Sequence, residues 1–285
     1  MKHLIVNADD YGLTSGVNCA IIEAHTRGIL TSATLMANMS AFEEAVRLAK
    51  EHLSLGVGLH FNITQGFPIA NASSIGSLLN QQGAFCGTST VLFRRWVTGK
   101  LRVREIEMEL RAQIEKVLQT GLKLTHVDSH KHSHALPPVY EAIANTIGDY
   151  GIQAVRWPRE SWRFNGLNGP AKLLTQNIAA FGLAQLCRTS ESKLRRSRIK
   201  TSDAFFGVTQ TGFWTKRWLL DLIHILPTGV SELMSHPGYA DGELGQVQTR
   251  LRESRQVELS LLTDPDVIST VIEAGVRLMN FSQLQ

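Results

Sequence analysis

Short apolar runs alternate with helix-like patterns along most of the chain. Seven runs rich in Val, Ile and Leu predict buried strands at residues 3–7, 30–37, 55–61, 122–127, 153–157, 230–234 and 276–281. Gly121 and Gly275 each stand directly before one of these runs, as glycine commonly does where a helix ends and a strand begins. The runs are short and almost continuously apolar, which is typical of strands that are covered on both faces.

Helical patterns occupy the stretches between these runs. The clearest helix is predicted at residues 103–120, where Val103, Ile106, Leu110 and Ile114 share one face and Gly121 follows the end. Further helices are predicted after the first strand, with Ser15 as N-cap, and at residues 42–52, 137–150, 214–226, 249–262 and 265–274. Strands that alternate with helices form parallel sheets. We therefore predict an α/β fold in which residues 1–285 form a single-domain, distorted (β/α) barrel of about seven parallel strands with helices outside.

Two segments interrupt the alternation, and we predict a long loop at each. Residues 61–93 contain no Asp, Glu, Lys or Arg and are rich in Gly, Ser, Asn and Gln. Residues 158–212 form the second segment. It contains a basic run formed by Lys193, Arg195, Arg196, Arg198 and Lys200. This run is either a solvated helix face or a patch that binds a phosphate or an acidic lipid.

The composition narrows the class of protein. The chain is 43% hydrophobic and 19% charged, which excludes a disordered chain, a fibre and a membrane span. A net charge of +4 is too mild to indicate a nucleic-acid partner. The three cysteines are widely spaced and odd in number, so neither a disulfide framework nor a thiolate zinc site is expected. With no signal peptide at the start, the sequence predicts a cytoplasmic protein.

Histidine is the unusual residue, with ten in the chain and four of them between residues 126 and 134. If the strand predicted at residues 122–127 continues, the alternation of side chains would place His126, Asp128 and His130 on one face. Such a cluster is costly to bury unless its members bind an ion or one another, and neutral imidazole is a common ligand of transition metals. The alternative is a polar surface edge. Not all four histidines can bind one ion, and neither His132 nor His134 has a role that the sequence supports.

Other polar residues follow other predicted strands. Asp9 and Asp10 end the first strand, where one carboxylate could bind a metal and its neighbour accept a proton, although Asp-Asp before a helix is also a common cap. His60 ends another strand and could equally be a core residue, and His236 precedes a Pro-Gly turn. All these residues and His130 lie at carboxyl ends of strands, where (β/α) barrels carry their active sites. One carboxylate and two imidazoles would make a facial metal site with open positions.

Four motifs, in this order, give the chain a resemblance to a known family. They are Val6-Asn7-Ala8-Asp9-Asp10-Tyr11-Gly12-Leu13, Gly58-Leu59-His60, Thr125-His126-Val127-Asp128-Ser129-His130-Lys131-His132 and Ser235-His236-Pro237-Gly238. They resemble the YdjC-like carbohydrate deacetylases, which include chitooligosaccharide deacetylases and a hopanoid-biosynthesis-associated branch. The resemblance covers most of the chain and is weak between about residues 162 and 198. Tyr11 stands where the family often has Phe, and Lys131 where it often has His.

The resemblance implies a distorted barrel and a metal-dependent hydrolase that releases acetate from an N-acetylated sugar. On the matching positions, Asp10, His60 and His130 would bind one divalent ion, Mg²⁺ or Zn²⁺. Asp9 would be the general base that takes a proton from the attacking water, and His236 the general acid that protonates the leaving amine. His126 and Asp128 would support the metal ligands.

The expected partner is a small N-acetylated carbohydrate, chitooligosaccharide-like or glycolipid-linked, without nucleic acid or a membrane span. Trp157 and Trp162 could stack on its sugar rings, or could simply cover the core. Two alternatives remain. One is a metal-dependent phosphoesterase that uses the basic run 193–200 as a phosphate clamp, and the other is a non-catalytic sugar-binding protein. A homodimer is the commonest assembly for such a chain.

Overall fold

The centre of the fold is a parallel sheet, which we describe in a computed structural model that covers residues 1–160, 171–196 and 198–284. Its seven strands in this part of the chain are β1 (Lys2–Tyr11), β2 (Ser32–Leu35), β3 (Gly56–Phe61), β4 (Val127–Ser129), β5 (Ala204–Phe206), β6 (Gly229–Ser235) and β7 (Val276–Leu278). The strand order is β4-β3-β2-β1-β6-β5, and β7 pairs with the first residues of β1. Buried Val, Ile and Leu on these strands form the core.

The edges of the sheet approach each other through residues 153–160. Val155 bridges to Val127 of β4, Ala154 bridges to Lys200, and Glu160 bridges to Phe205 of β5, all in parallel. The sheet therefore curls into a barrel. Isolated bridges, and not a full strand, connect its two edges. The prediction of a distorted (β/α) barrel with about seven parallel strands is confirmed.

Helices surround the sheet. They are α1 (Ser15–Arg27), α2 (Phe42–Glu51), α3 (Ser89–Val97), α4 (Val103–Gln119), α5 (Pro137–Thr146), α6 (Ala171–Arg196), α7 (Lys216–Ile225), α8 (Gly242–Gln246), α9 (Glu253–Leu262) and α10 (Pro265–Glu273). On α4, the predicted apolar face buries Ile106, Leu110 and Ile114. On α1, the cap is Thr14 rather than the predicted Ser15, because the Thr14 hydroxyl accepts from the backbone N–H of Val17.

Two strand predictions differ from the structure. The strand predicted at 122–127 starts only at Val127, where the ladder with β3 begins. Residues 153–157 form isolated bridges instead of a strand. The three-residue β5 was missed, since it lies inside the loop predicted at 158–212.

The prediction of a long loop at 158–212 is wrong for residues 171–196. These residues form α6, the longest helix described. Ile178 and Phe181 on α6 are both 65% exposed, so apolar residues stand on its outer face and obscure the helical period. Residues 61–93 are largely the predicted loop, with two 3₁₀ turns (Ala72–Ser74 and Gly76–Leu78) before α3 begins at Ser89. The carboxylate of buried Glu109 accepts from the backbone N–H groups of Ile69 and Ala70.

Candidate active site

A bulge at the end of β1 turns two adjacent carboxylates into one cleft. The register between β1 and β2 shifts between Ala8 and Tyr11, and Asp10 has a φ of 67°. Neighbouring residues of a regular strand point to opposite faces, so this irregularity is what allows Asp9 and Asp10 to face the same space.

Asp10, His60 and His130 bring three potential ligand atoms together. Asp10 Oδ1 lies 3.1 Å from His130 Nδ1 and 3.5 Å from His60 Nε2, and the two imidazole nitrogens are 3.4 Å apart. Adjacent ligands of a divalent ion with bonds near 2.1 Å stand about 3.0–3.5 Å apart. Asp10 Oδ1 is buried and accepts no well-directed hydrogen bond from the described residues, so its lone pairs are available to a metal ion. These three residues could hold one metal ion.

The outer nitrogen of each histidine has its own acceptor. His60 Nδ1 lies 2.7 Å from Asp128 Oδ1, and His130 Nε2 lies 3.2 Å from Gln65 Oε1. A proton held on the outer nitrogen leaves the inner nitrogen free to bind a metal. Burial disfavours a charged His60, but Asp128, with smaller contributions from Asp10 and Asp9, outweighs burial and raises its pKa to about 10. The structure thus brings Asp128 directly against a candidate ligand, as the resemblance implied.

Arg156, which the sequence analysis missed, holds three carboxylates in the barrel interior. Its guanidinium is fully buried and lies 2.7 Å and 2.8 Å from the two oxygens of Asp9, 2.6 Å from Asp128 and 2.6 Å from Glu232. Burial would raise the pKa of Asp9, but Arg156, with smaller contributions from His60 and His236, outweighs burial and holds that pKa well below its usual range. Asp9, His60 and Asp128 also lie close enough to bind an ion, yet the guanidinium of Arg156 already occupies the space beside both carboxylates.

Helix α9 supplies two further residues to the site. The Arg255 guanidinium is buried and donates to Asp10 Oδ2. Glu258, one turn along, accepts from the backbone N–H of His236 at 2.5 Å and lies 3.9 Å from His236 Nδ1. The other nitrogen, Nε2, lies 3.9 Å from Asp9 Oδ2. Burial lowers the pKa of His236 to about 4, with Asp9 opposing, so its resting form at neutral pH is uncharged.

Backbone strain is concentrated at the same place. In the described chain, the non-glycine residues with positive φ are Asp10, Lys131 and His132. Left-handed backbone costs a non-glycine residue about 1–2 kcal/mol, and such strain often marks functional sites. His132 lines the cleft, whereas His134 is buried behind it on the Ser129 hydroxyl.

The cleft has a volume of about 460 Å³ and opens at the carboxyl end of the barrel strands. It is lined by Asp9, Asp10, His60, His130 and His236, which are the five predicted catalytic and metal-binding residues. Gln176 and Ala179 of α6 also line it.

Two predicted site residues lie elsewhere. Trp157 is buried away from the cleft lining, with its ring 5.2 Å from that of Tyr140, so it covers core rather than substrate space. His126 Nδ1 lies 2.9 Å from the Thr125 hydroxyl, and its Nε2 has no hydrogen-bond partner among the described residues. Its ring stacks on Phe281 at 3.6 Å and lies against Gly58, where a side chain would overlap it. Trp162, also predicted to contact substrate, lies outside the described residues.

The missed residues differ in the signal they gave. Arg156 and Glu232 are single charges inside apolar runs that were predicted as strands, and a buried charge needs an opposite charge. That signal was available. Arg255 and Glu258 are spaced three apart on a helix, like many solvent-exposed pairs, and Gln65 sits in an uncharged loop, so the sequence marks none of these three.

The basic run is far from the cleft. Lys193 stands 14 residues beyond Ala179, a cleft residue on the same helix, which is about 21 Å along the axis. Its amine pairs with Glu141, and Lys200 Nζ donates to the Leu284 carbonyl. Neither cation reaches the proposed ligands. No helix in the described ranges combines the length and hydropathy needed to cross a membrane.

The chain is similar to known proteins over nearly its whole length. The sequence model of the YdjC-like protein family matches residues 3–273. Carbohydrate deacetylases from Geobacillus stearothermophilus and Mus musculus are 35% and 32% identical to the chain, over 99% of it and over 98% and 94% of their own lengths. A crystal structure from Enterococcus faecalis V583, of a protein described as a candidate for cellobiose-phosphate cleavage, has a TM-score of 0.80 and 25% identity, covering 100% of this chain and 99% of that one. The chain therefore belongs to the YdjC-like family.

Proposed function

We propose that this protein is a metal-dependent hydrolase that removes the acetyl group from an N-acetylated sugar, either chitooligosaccharide-like or glycolipid-linked, and releases acetate. The observation that carries the proposal is the triangle of Asp10, His60 and His130 ligand atoms beside Asp9 and His236 in one cleft. The full-length similarity to proteins named carbohydrate deacetylases supports the substrate class.

A divalent ion held by Asp10, His60 and His130 would polarise the amide carbonyl and lower the pKa of a water molecule. One carboxylate and two imidazoles favour Zn²⁺ or another transition ion, while Mg²⁺ would bind through fewer protein atoms and more waters. The outer contacts of His60 with Asp128 and of His130 with Gln65 keep both imidazoles oriented toward the ion.

Asp9 and His236 divide the proton transfers. Arg156 keeps Asp9 ionised, so its carboxylate is available to accept a proton from the attacking water. His236 rests uncharged and lies 3.9 Å from Asp9 Oδ2, so it can receive that proton and deliver it to the amide nitrogen as the C–N bond breaks. Attack by the remaining hydroxide on the carbonyl carbon yields acetate and the free amine. Glu258 holds the backbone of His236, which fixes the position of the imidazole.

The test is metal content together with acetate release from a panel of N-acetylated sugars, with phosphate release from sugar phosphates measured in parallel. The loaded protein should release acetate and no phosphate. Asp9→Asn should keep its metal and lose about 100-fold or more in kcat. Asp221→Asn, an exposed carboxylate on α7, is the matched control and should retain the parental kcat. Parental activity in Asp9→Asn would show that Asp9 is not the general base. Phosphate release without acetate release would support the phosphoesterase instead.

A further inference from the structure

Gln65 connects the uncharged segment 61–93 to the candidate metal site. Its Oε1 lies 3.2 Å from His130 Nε2, while His130 Nδ1 faces Asp10 and His60. We infer that Gln65 is a positioning residue for the ion: its amide oxygen accepts the Nε2–H of His130 and thereby leaves Nδ1 as the ligand atom. The inference rests on the proposed metal site and assigns to it a residue outside the resemblance motifs.

The backbone of Gln65 is held firmly enough for its amide to be a fixed acceptor. Asn62, fully buried, accepts from the Gln65 N–H at 3.1 Å and donates its own amide to the Gln65 carbonyl at 2.8 Å. Asn38 donates to the same carbonyl at 3.0 Å and pairs with Asn62. These contacts anchor the start of the segment directly beside the site.

The position of the proton on His130 decides which of its two nitrogens can bind an ion. A neutral imidazole carries one N–H, and a proton on Nδ1 would block that atom as a ligand. Asp10 Oδ1, 3.1 Å from Nδ1, draws the proton to the inner side. Gln65 offers the competing acceptor on the outer side. The His130 side chain is only 13% exposed, so water cannot readily replace Gln65 as the partner of an outer N–H.

His60 uses the charged Asp128 for the same purpose, whereas His130 uses a neutral amide. The amide therefore orients His130 without adding a charge. Removal of its oxygen should weaken ion binding and leave the stability of the fold unchanged.

The test compares the Zn²⁺ affinities of full-length variants by competition with a chromophoric chelator. Gln65→Met, which keeps the length but has no acceptor, should bind Zn²⁺ about 10–100-fold more weakly. Gln65→Glu retains an acceptor and should keep the affinity. Gln81→Met, an exposed glutamine in the same segment, should match the parent. Thermal unfolding of metal-free Gln65→Met should equal that of the parent, which separates loss of ion binding from loss of folding.

A spectroscopic measurement tests the ligand atom in the unmodified protein. Long-range ¹H–¹⁵N correlation of the Zn²⁺-loaded chain should show His130 protonated at Nε2 and metal-bound at Nδ1. Binding through Nε2, or parental affinity in Gln65→Met, would overturn the inference while leaving the metal site intact. Absence of stoichiometric Zn²⁺ and Mg²⁺ binding by the parent would instead overturn the proposed function, and this inference with it.

Discussion

Replacement of Arg156 by Met should destabilise the protein severely. The side chain is fully buried and makes four contacts of 2.6–2.8 Å with Asp9, Asp128 and Glu232. Removal of one partner from a buried ion pair costs about 3–5 kcal/mol, because the remaining charge has neither a counter-ion nor water. Three carboxylates are left here, so we expect the upper end of that range, about 5 kcal/mol.

Urea unfolding at pH 7.5 measures this loss, and Arg27→Met is the control. Arg27 contacts Glu23 at 2.9 Å, about as closely, but is 73% exposed, so its loss should be below about 1 kcal/mol. The deficit of Arg156→Met should shrink as the pH falls from 8 to 5, because unpaired carboxylates in the folded state then take up protons that the unfolded state does not. A deficit below about 1 kcal/mol at pH 7.5, or one that grows with acid, would refute the view that Arg156 balances this cluster.

Three further results are expected. Because His60 has a pKa near 10 and must lose its proton to bind an ion, apparent Zn²⁺ affinity should rise about tenfold per pH unit from pH 6 to 9 in chelator competition, and a flat profile would contradict this. Trp157→Phe should leave KM for the sugar unchanged and lower the free energy of unfolding in urea by about 1–2 kcal/mol, because the indole lies in the core. A raised KM would show that Trp157 contacts the substrate. Gly58→Ala should cost about 1–3 kcal/mol, since its methyl group would overlap the His126 ring, and unchanged stability would mean that the ring can move.

The sequence predicts the barrel well because its signals are local. Apolar runs of strand length and the amphipathic pattern of α4 mark their elements directly. α6 escapes because Ile178 and Phe181 are exposed, and β5 escapes because a three-residue strand is shorter than any periodic signal. The bridges at residues 153–160 depend on how two distant sheet edges meet, which no local pattern contains.

The same division applies to the site. The five cleft residues could be predicted because each lies at or just after the carboxyl end of a strand, and parallel strands end at one edge. The distances between these residues depend on the bulge at Asp10. The proposed role of Gln65 depends on the orientation of its side chain toward His130. Alternation along a strand suggested that His126 would join Asp128, but the His126 ring fills the space over Gly58 and stacks on Phe281.

The position of β1 in the sheet has a consequence for how the chain folds. β1 is synthesised first, yet Lys2 pairs with Gly229 and with Val276, and Asp10 meets Arg255. Contacts between such distant segments give a high contact order, which slows folding. During synthesis, β1 lacks its partner β6, and Asp10 lacks Arg255, until residues 229–255 have been made. Assembly of the cleft is therefore a late step in folding, and one edge of β1 stays unpaired until β6 is available.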